Sequence, residues 1–396
     1  MRDDIWYEYD NDLSNMDGVN YFDASIPDYL AGDTYQSGYF VTANTLGMLS
    51  LSGPEDPNFD SYVMDEFAGG NYDAEEQIAA FYAMIVDKLG DDVTLIAGAR
   101  FESTSINYTG QVFDEEEDEL PSDIGSVSGG NDYYNILPNL TLQWDVNDEL
   151  NLNIAFTQSI ARPSYYDLVP YEYSNSDDQE LALGNPDLKS SLSTNFDFMG
   201  EWYFGGLSLL SFGYFSKDIK DWIYQYTTNN YTYAGVNGYE LSQLRNGEKA
   251  SVSGFELGFQ TKFLKNFTFM GNYTSTDSST NNVEGRDDVP LTGQVDDMYN
   301  LSLAFENKKF FVRASMNYAS EALDELSGDA YEDRYYDEQT FVDVNANYKV
   351  NDNLSIFAEG KNLTNQPLRY YQGIQQRTMQ IEYYNLSWTV GLKYDF

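Results

Sequence analysis

At 396 residues, with a formal net charge of −44 and neither cysteine nor histidine, the chain rules out several chemistries at once. It has no disulfide framework or thiolate metal site and no imidazole for a serine-type triad or a zinc centre, and so acidic a chain is a poor partner for nucleic-acid phosphate. Its 35 Tyr and 24 Phe instead suit pleated strands and a boundary between water and lipid.

Taken in chain order, residues 1–74 are acidic, rich in Asn, Gly and Tyr, and weakly periodic. Met1-Arg2-Asp3-Asp4 runs into acidic and polar residues, not the apolar stretch of an export signal. From Glu75 onward apolar and polar residues alternate. Val93, Leu95, Ala97, Ala99 and Phe101 share one face, with Thr94, Gly98, Arg100 and Glu102 on the other, Ile96 breaking the pattern. Leu150, Leu152, Ile154 and Phe156 repeat it, as do Val342, Val344, Ala346 and Tyr348. A period of two predicts strands with one apolar and one polar face.

The connections alternate in length. Short turns are predicted at Lys88–Asp92, Val146–Leu150, Phe204–Leu207, Phe263–Phe267, Glu306–Phe310 and Val350–Leu354, and long polar loops at 109–132, 163–189, 226–246, 276–293, 320–338 and 365–377. Thirteen strands result, at about 76–88, 92–108, 133–146, 150–162, 190–204, 207–223, 247–263, 267–276, 294–306, 309–319, 339–350, 353–364 and 378–396. Tight turns at one end and long loops at the other describe a transmembrane, antiparallel, up-and-down β-barrel. The strands of a soluble sandwich run about 5–6 residues, well short of these. No apolar run approaches the roughly 18 residues of a membrane-crossing helix. Bacterial single-chain barrels have even strand numbers, so an odd count predicts that the strand before the first is missing or lies hidden in residues 1–74.

The last residues, Thr389-Val390-Gly391-Leu392-Lys393-Tyr394-Asp395-Phe396, resemble the C-terminal signal read by the barrel-assembly machinery, with Thr389, Gly391, Tyr394 and Phe396 at its defining positions. Thr157-Gln-Ser-Ile-Ala-Arg-Pro-Ser164, Leu183-Gly-Asn-Pro-Asp-Leu-Lys189, Asn195-Phe-Asp197, Phe215-Ser-Lys-Asp-Ile-Lys-Asp-Trp-Ile223, Asn246-Gly-Glu-Lys-Ala250, Gly254-Phe-Glu-Leu257 and Asn362-Leu-Thr-Asn365 follow in an order that resembles the TonB-dependent receptors.

The resemblance implies an outer-membrane barrel of 22 strands around an N-terminal plug. It implies outer-membrane lipid and the TonB complex as partners and a bulky extracellular ligand of the siderophore, cobalamin or oligosaccharide class. Residues 75–396 would be the C-terminal barrel portion, starting at strand 10, and residues 1–74 the acidic extracellular loop region before it. With no plug and no TonB-contacting segment recognisable, the chain is expected to be a fragment. The alternatives are a passive outer-membrane porin and a surface adhesin barrel.

Candidate ligand contacts are Arg162 and the loop tyrosines Tyr165, Tyr166, Tyr171 and Tyr173. A structural reading of Arg162-Pro163 has Pro ending the ladder while Arg162 pairs with a carboxylate inside the barrel. Asp114-Glu-Glu-Glu-Asp-Glu119 offers carboxylates without the ordered spacing of a calcium loop, and reads as a solvated charge block. Trp144, Trp202, Trp222 and Trp388 sit near strand ends and read as interfacial girdles. No catalytic residue, metal site or cofactor is expected: barrel enzymes with His-dependent chemistry are excluded, and nothing selects a catalytic pair among 65 acidic residues.

Overall fold

The computed structural model of the chain describes residues 71–114, 124–281, 283 and 285–396. It also places four short strands earlier, β1 (Tyr7–Tyr9) paired with β4 (Phe59–Tyr62) and β2 (Phe22–Asp23) with β3 (Phe40–Val41). The remainder of 1–70, and Glu115–Glu119 of the acidic run, lie outside the described residues.

The wall is built from hairpins. β5 (Tyr72–Lys88) turns into β6 (Val93–Asp114), β7 (Gly125–Asn147) into β8 (Leu150–Ala161), and β11 (Ser191–Phe204) into β12 (Ser208–Lys220). β15 (Lys249–Phe263) turns into β16 (Phe267–Asn281), β17 (Asp297–Glu306) into β18 (Phe310–Ala319), and β21 (Gln339–Lys349) into β22 (Leu354–Lys361). β25 (Ser387–Tyr394) follows alone. The ladder runs β5–β6–β7–β8–β11–β12–β15–β16–β17–β18–β21–β22–β25, antiparallel throughout. All six short turns stand where the sequence placed them. Their chemistry is visible: Asn147, Asn307 and Asn351 each accept two backbone N–H groups with the side-chain carbonyl and so close the turn.

The sheet has the curvature of a barrel, yet pairing does not cross from β25 to β5 among the described residues. Exposure agrees. Phe81 and Ile85 on β5 are 71% and 63% exposed, and Val390 and Leu392 on β25 are 73% and 70%. Phe212 and Phe259, midway round the wall, are 40% and 37% exposed. The edge strands lack a flanking strand; the interior ones have two.

The alternation sorts the two faces. Leu210, Phe212 and Tyr214 point outward from β12, and Phe255, Leu257 and Phe259 from β15. The concave face carries Asn272, Asn300 and Asn317 in cross-strand register, with Asn300 donating to Asn272 at 2.9 Å. Outward aromatics fall in two bands. Near the short turns, Phe263 stacks on Phe267, Phe267 packs on Phe305, and Phe310 on Tyr348. Further up, Phe255 meets Tyr273 and Tyr299 stacks on Tyr318. Among the described residues no helix is long and apolar enough to cross a membrane; the outward strand faces supply the apolar surface.

The long-loop end departs from the expected strand limits. β6 and β7 run past 108 and start before 133, so the loop between them shortens to 115–124. The stretch 226–246 is largely a hairpin, β13 (Ile223–Tyr233) against β14 (Val236–Asn246). β9 (Glu172–Asn175) and β10 (Glu180–Leu183) bridge β6 to β14 through two short parallel ladders. β19 (Ala322–Glu325), β20 (Arg334–Tyr336), β23 (Leu368–Gln372) and β24 (Thr378–Glu382) form a separate four-stranded sheet. The expected single strand 378–396 is therefore divided: β24 belongs to this loop sheet and only β25 to the wall. The chain leaves one sheet for the other across residues 383–386.

Candidate functional site

The loops at the long-loop end pack into cores of their own above the wall. In one, Trp222, Tyr224, Ala250, Val283, Val289, Leu323 and Leu326 are buried together. Trp222 is 5% exposed; it does not face lipid as its position near a strand end suggested. Its indole lies against Gly247, where a Cβ would sit 2.2 Å from the ring nitrogen. A second core gathers Ile106, Tyr108, Leu168, Val169 and Leu188.

Several motif residues act as fasteners between these loops. Asn185 donates to the Leu244 carbonyl at 2.8 Å, and Tyr108 to the Pro186 carbonyl at 2.9 Å. Asn246 accepts from the Lys189 backbone N–H and donates to the Lys189 and Asp221 carbonyls at 3.0 and 2.7 Å. Gly184 lies so close to the Val169 carbonyl that a Cβ would come within 1.7 Å of that oxygen. Sequence reading marked these residues but not their partners, which lie up to 78 positions away.

Arg162 leaves β8 with its Nη2 2.5 Å from Glu102 on β6 and its Nε 3.8 Å from Glu76 on β5. Arg100 takes the other oxygen of Glu102 at 2.5 Å. Ser164 caps the short helix α1 (Tyr165–Leu168), with Asp167 completing a capping box. The cap aims Tyr165 at Glu76, to which its hydroxyl donates at 3.0 Å. Tyr166 stacks on Tyr171 at 4.7 Å and Tyr173 on Phe113 at 6.0 Å. Burial, then the neighbouring Tyr166, raises the Tyr171 phenol above its ordinary range. The structure thus brings Arg162, Tyr165, Tyr166 and Tyr171 to one side of the mouth. Tyr165 and Tyr166 are its exposed members.

Between the loops that follow β16 and β18, Arg286 grips Asp333 with both nitrogens, at 2.8 and 2.6 Å, and Asp333 is wholly buried. The Ser327 N–H also donates to Asp333 at 2.9 Å. Arg334 is held by Asp324 and Glu325, and Arg369 by Asp337. Arg377 and Arg245 lie over the rings of Tyr331 and Tyr226. Sequence reading missed all of these pairings, because each joins separate loops or strands. Below the mouth, a cavity of 610 Å³ opens on the concave wall, where Arg313, Asp343, Glu359 and Lys361 bring charge of both signs. Among the described residues no cluster of acidic side chains could hold a metal ion.

At the other end, Tyr394 and Phe396 meet edge to face at 5.1 Å. Thr389 and Gly391 lie on the inner face of β25, opposite Glu359 and Phe357 of β22. Gly391 makes room for the Phe357 ring, which a Cβ would approach to 2.3 Å.

Residues 2–363 match the family model described as TonB dependent receptor-like, beta-barrel. The chain belongs to that family. The TonB-dependent receptors are transporters and receptors of the outer membrane, which agrees with a wall apolar outside and polar within. Comparison with curated proteins finds no match. Among solved structures, the receptor barrel is similar to the ferric-catecholate import receptor Fiu from K12 E. coli (15% identity, TM-score 0.61, 82% of this chain and 45% of that one). It is also similar to the copper transporter OprC (14%, 0.58, 82% and 48%) and to the ferric yersiniabactin uptake receptor FyuA from Yersinia pestis (15%, 0.57, 82% and 46%). At these identities the likeness is one of fold, and the receptor barrel spans about half the length of these structures.

Proposed function

We propose that the chain forms the C-terminal barrel portion, about thirteen strands of a 22-stranded whole, of an energy-coupled receptor that imports a bulky nutrient. The ligand meets the loops first, with Arg162, Tyr165, Tyr166, Tyr171 and Tyr173 on one side of the mouth. A plug outside this chain gates the lumen, and the TonB complex acts through that plug. Residues 1–74 belong to the external loop region, the wall carries outer-membrane lipid, and Thr389, Gly391, Tyr394 and Phe396 serve recognition by the barrel-assembly machinery.

The observation that carries this reading is a polar concave wall crowned by loops with packed cores of their own. A passive pore needs only an open polar channel, whereas loops fastened by buried ion pairs and carbonyl contacts hold a fixed shape for recognition. The ligand stays within the siderophore, cobalamin or oligosaccharide class. The arginines around the mouth are already engaged by carboxylates or rings, which disfavours strongly anionic ligands.

The test is uptake by cells expressing the intact receptor, with and without plug and with and without TonB. Import should require both. Equal import without TonB would instead support a porin.

A further inference from the structure

A second cavity, of 490 Å³, lies above the charged one, between the inner faces of β8, β11 and β12 and the segment Leu291–Gln294. Its volume falls within the range of about 300–1,000 Å³ typical of small-molecule sites. None of its lining residues is charged. Ile219, Trp222 and Leu291 give it an apolar side, and Ser159 and Ser193 a hydroxyl-bearing one.

Those two serines are direct cross-strand partners, and Asn195 sets their polarity. The Asn195 amide nitrogen donates to the Thr157 carbonyl and hydroxyl and to the Ser159 hydroxyl, at 3.5, 3.2 and 3.4 Å. Its amide oxygen accepts from the Ser193 hydroxyl at 2.6 Å. Ser159 therefore keeps its proton for a ligand, and Ser193 keeps its lone pairs. A donor and an acceptor stand side by side opposite an apolar surface.

The roof is held in place. Leu291 N–H donates to the Ser278 hydroxyl at 3.1 Å, and Gly293 N–H to the Leu323 carbonyl at 2.7 Å. Val289 pairs with Thr280, and the Arg286–Asp333 contact anchors the start of the segment.

We propose that this cavity binds a pyranose ring of an uncharged oligosaccharide. Adjacent ring hydroxyls match the Ser159 donor and Ser193 acceptor, and the ring's C–H face meets Ile219, Trp222 and Leu291. The proposal rests on the reading that the mouth admits a ligand, and it narrows that ligand to an uncharged sugar.

The experiment uses the full chain in a sugar-free detergent and saturation-transfer NMR. The probes are maltose, cellobiose, lactose, mannobiose and their trisaccharides, with a ferric tris-catecholate complex as the anionic competitor. At least one saccharide should bind, and the Ser159→Ala/Ser193→Ala double variant should weaken it about tenfold, the effect of two lost hydrogen bonds. Unchanged Trp222 emission in the double variant shows that the loop core remains folded. Ile219→Trp, which fills the cavity while sparing the serines, should abolish the signal. Absence of any saccharide signal, a signal indifferent to both variants, or displacement by the catecholate would overturn the proposal. TonB-dependent uptake of a different nutrient alongside such a result would leave the receptor reading standing and this one alone refuted.

Discussion

Asn246 shows how much one side chain does at the mouth. It holds Lys189 by two hydrogen bonds and Asp221 by a third, joining the end of one loop to both ends of the connection between β12 and β15. Asn246→Ala removes all three and leaves backbone groups without those partners, at a cost of about 1–3 kcal/mol. The expected result is faster amide exchange at Lys189 and around Trp222, with exchange in the β15–β16 ladder unchanged. Tyr371 gives a pH-dependent counterpart. It is buried and donates to Glu321 at 2.8 Å; burial first, and then that carboxylate, raise its phenol above the ordinary value, near 10 for tyrosine. An acid whose folded pKa is raised contributes stability below its unfolded pKa and loses it as pH climbs toward the folded one. The loop sheet should therefore loosen above about pH 10. Tyr371→Phe should flatten this alkaline loss, read by tyrosinate absorbance alongside exchange of β19–β20. The sequence resemblance marked the Leu183–Lys189 and Asn246–Ala250 motifs without their role, since Tyr108 and Leu244 reach them only in the folded chain.

Elements were legible where the physics is local. Tight turns carrying Asn, Asp or Gly between alternating runs announce themselves, so every hairpin at the short-turn end stands where it was expected. Loop-internal strands were hidden. β13 is rich in Tyr, Thr and Asn and β14 scatters its apolar residues among Asn, Gly, Ser and Gln, so both lack the clean apolar–polar alternation of the wall. The passage from β24 to β25 was hidden for a related reason: Met379, Ile381, Tyr383 and Tyr384 continue an apolar tone that reads as one strand. The roof segment depends on contacts more distant still. Arg286→Ala would leave the buried Asp333 carboxylate without its counter-charge, and breaking such a pair costs about 3–5 kcal/mol. Protection from hydrogen exchange should fall across 285–294 and 326–334, while β17 and β18 keep theirs. Equal loss in the wall would show that these loops are not a separate folding unit.

For the whole molecule, the test is which surface meets lipid. Trp144, Trp202 and Trp388 are exposed on the convex face, and Trp222 is buried in a loop core. In vesicles containing brominated lipid, single-tryptophan variants retaining Trp144, Trp202 or Trp388 should be strongly quenched. The variant retaining Trp222 should not be. Composition and alternation disclosed the barrel, and the resemblance disclosed its family. The Arg162 candidate was legible as a charged residue ending a strand; its engagement with Glu102 and Glu76 was not, because those partners sit two and three strands away in the ladder.

The two aromatic bands carry a further consequence. On β15 they are marked by Phe255 and, eight residues on, Phe263. At about 3.4 Å per residue that is about 27 Å of strand, which a barrel tilt of about 40° shortens to about 20 Å of height. So short a belt matches a thin bilayer. In thicker synthetic membranes the lipid must compress around the protein or the protein must tilt, each at a small cost per ångström of mismatch. Insertion yield should therefore rise as acyl chains shorten, which makes lipid length a practical handle for reconstitution.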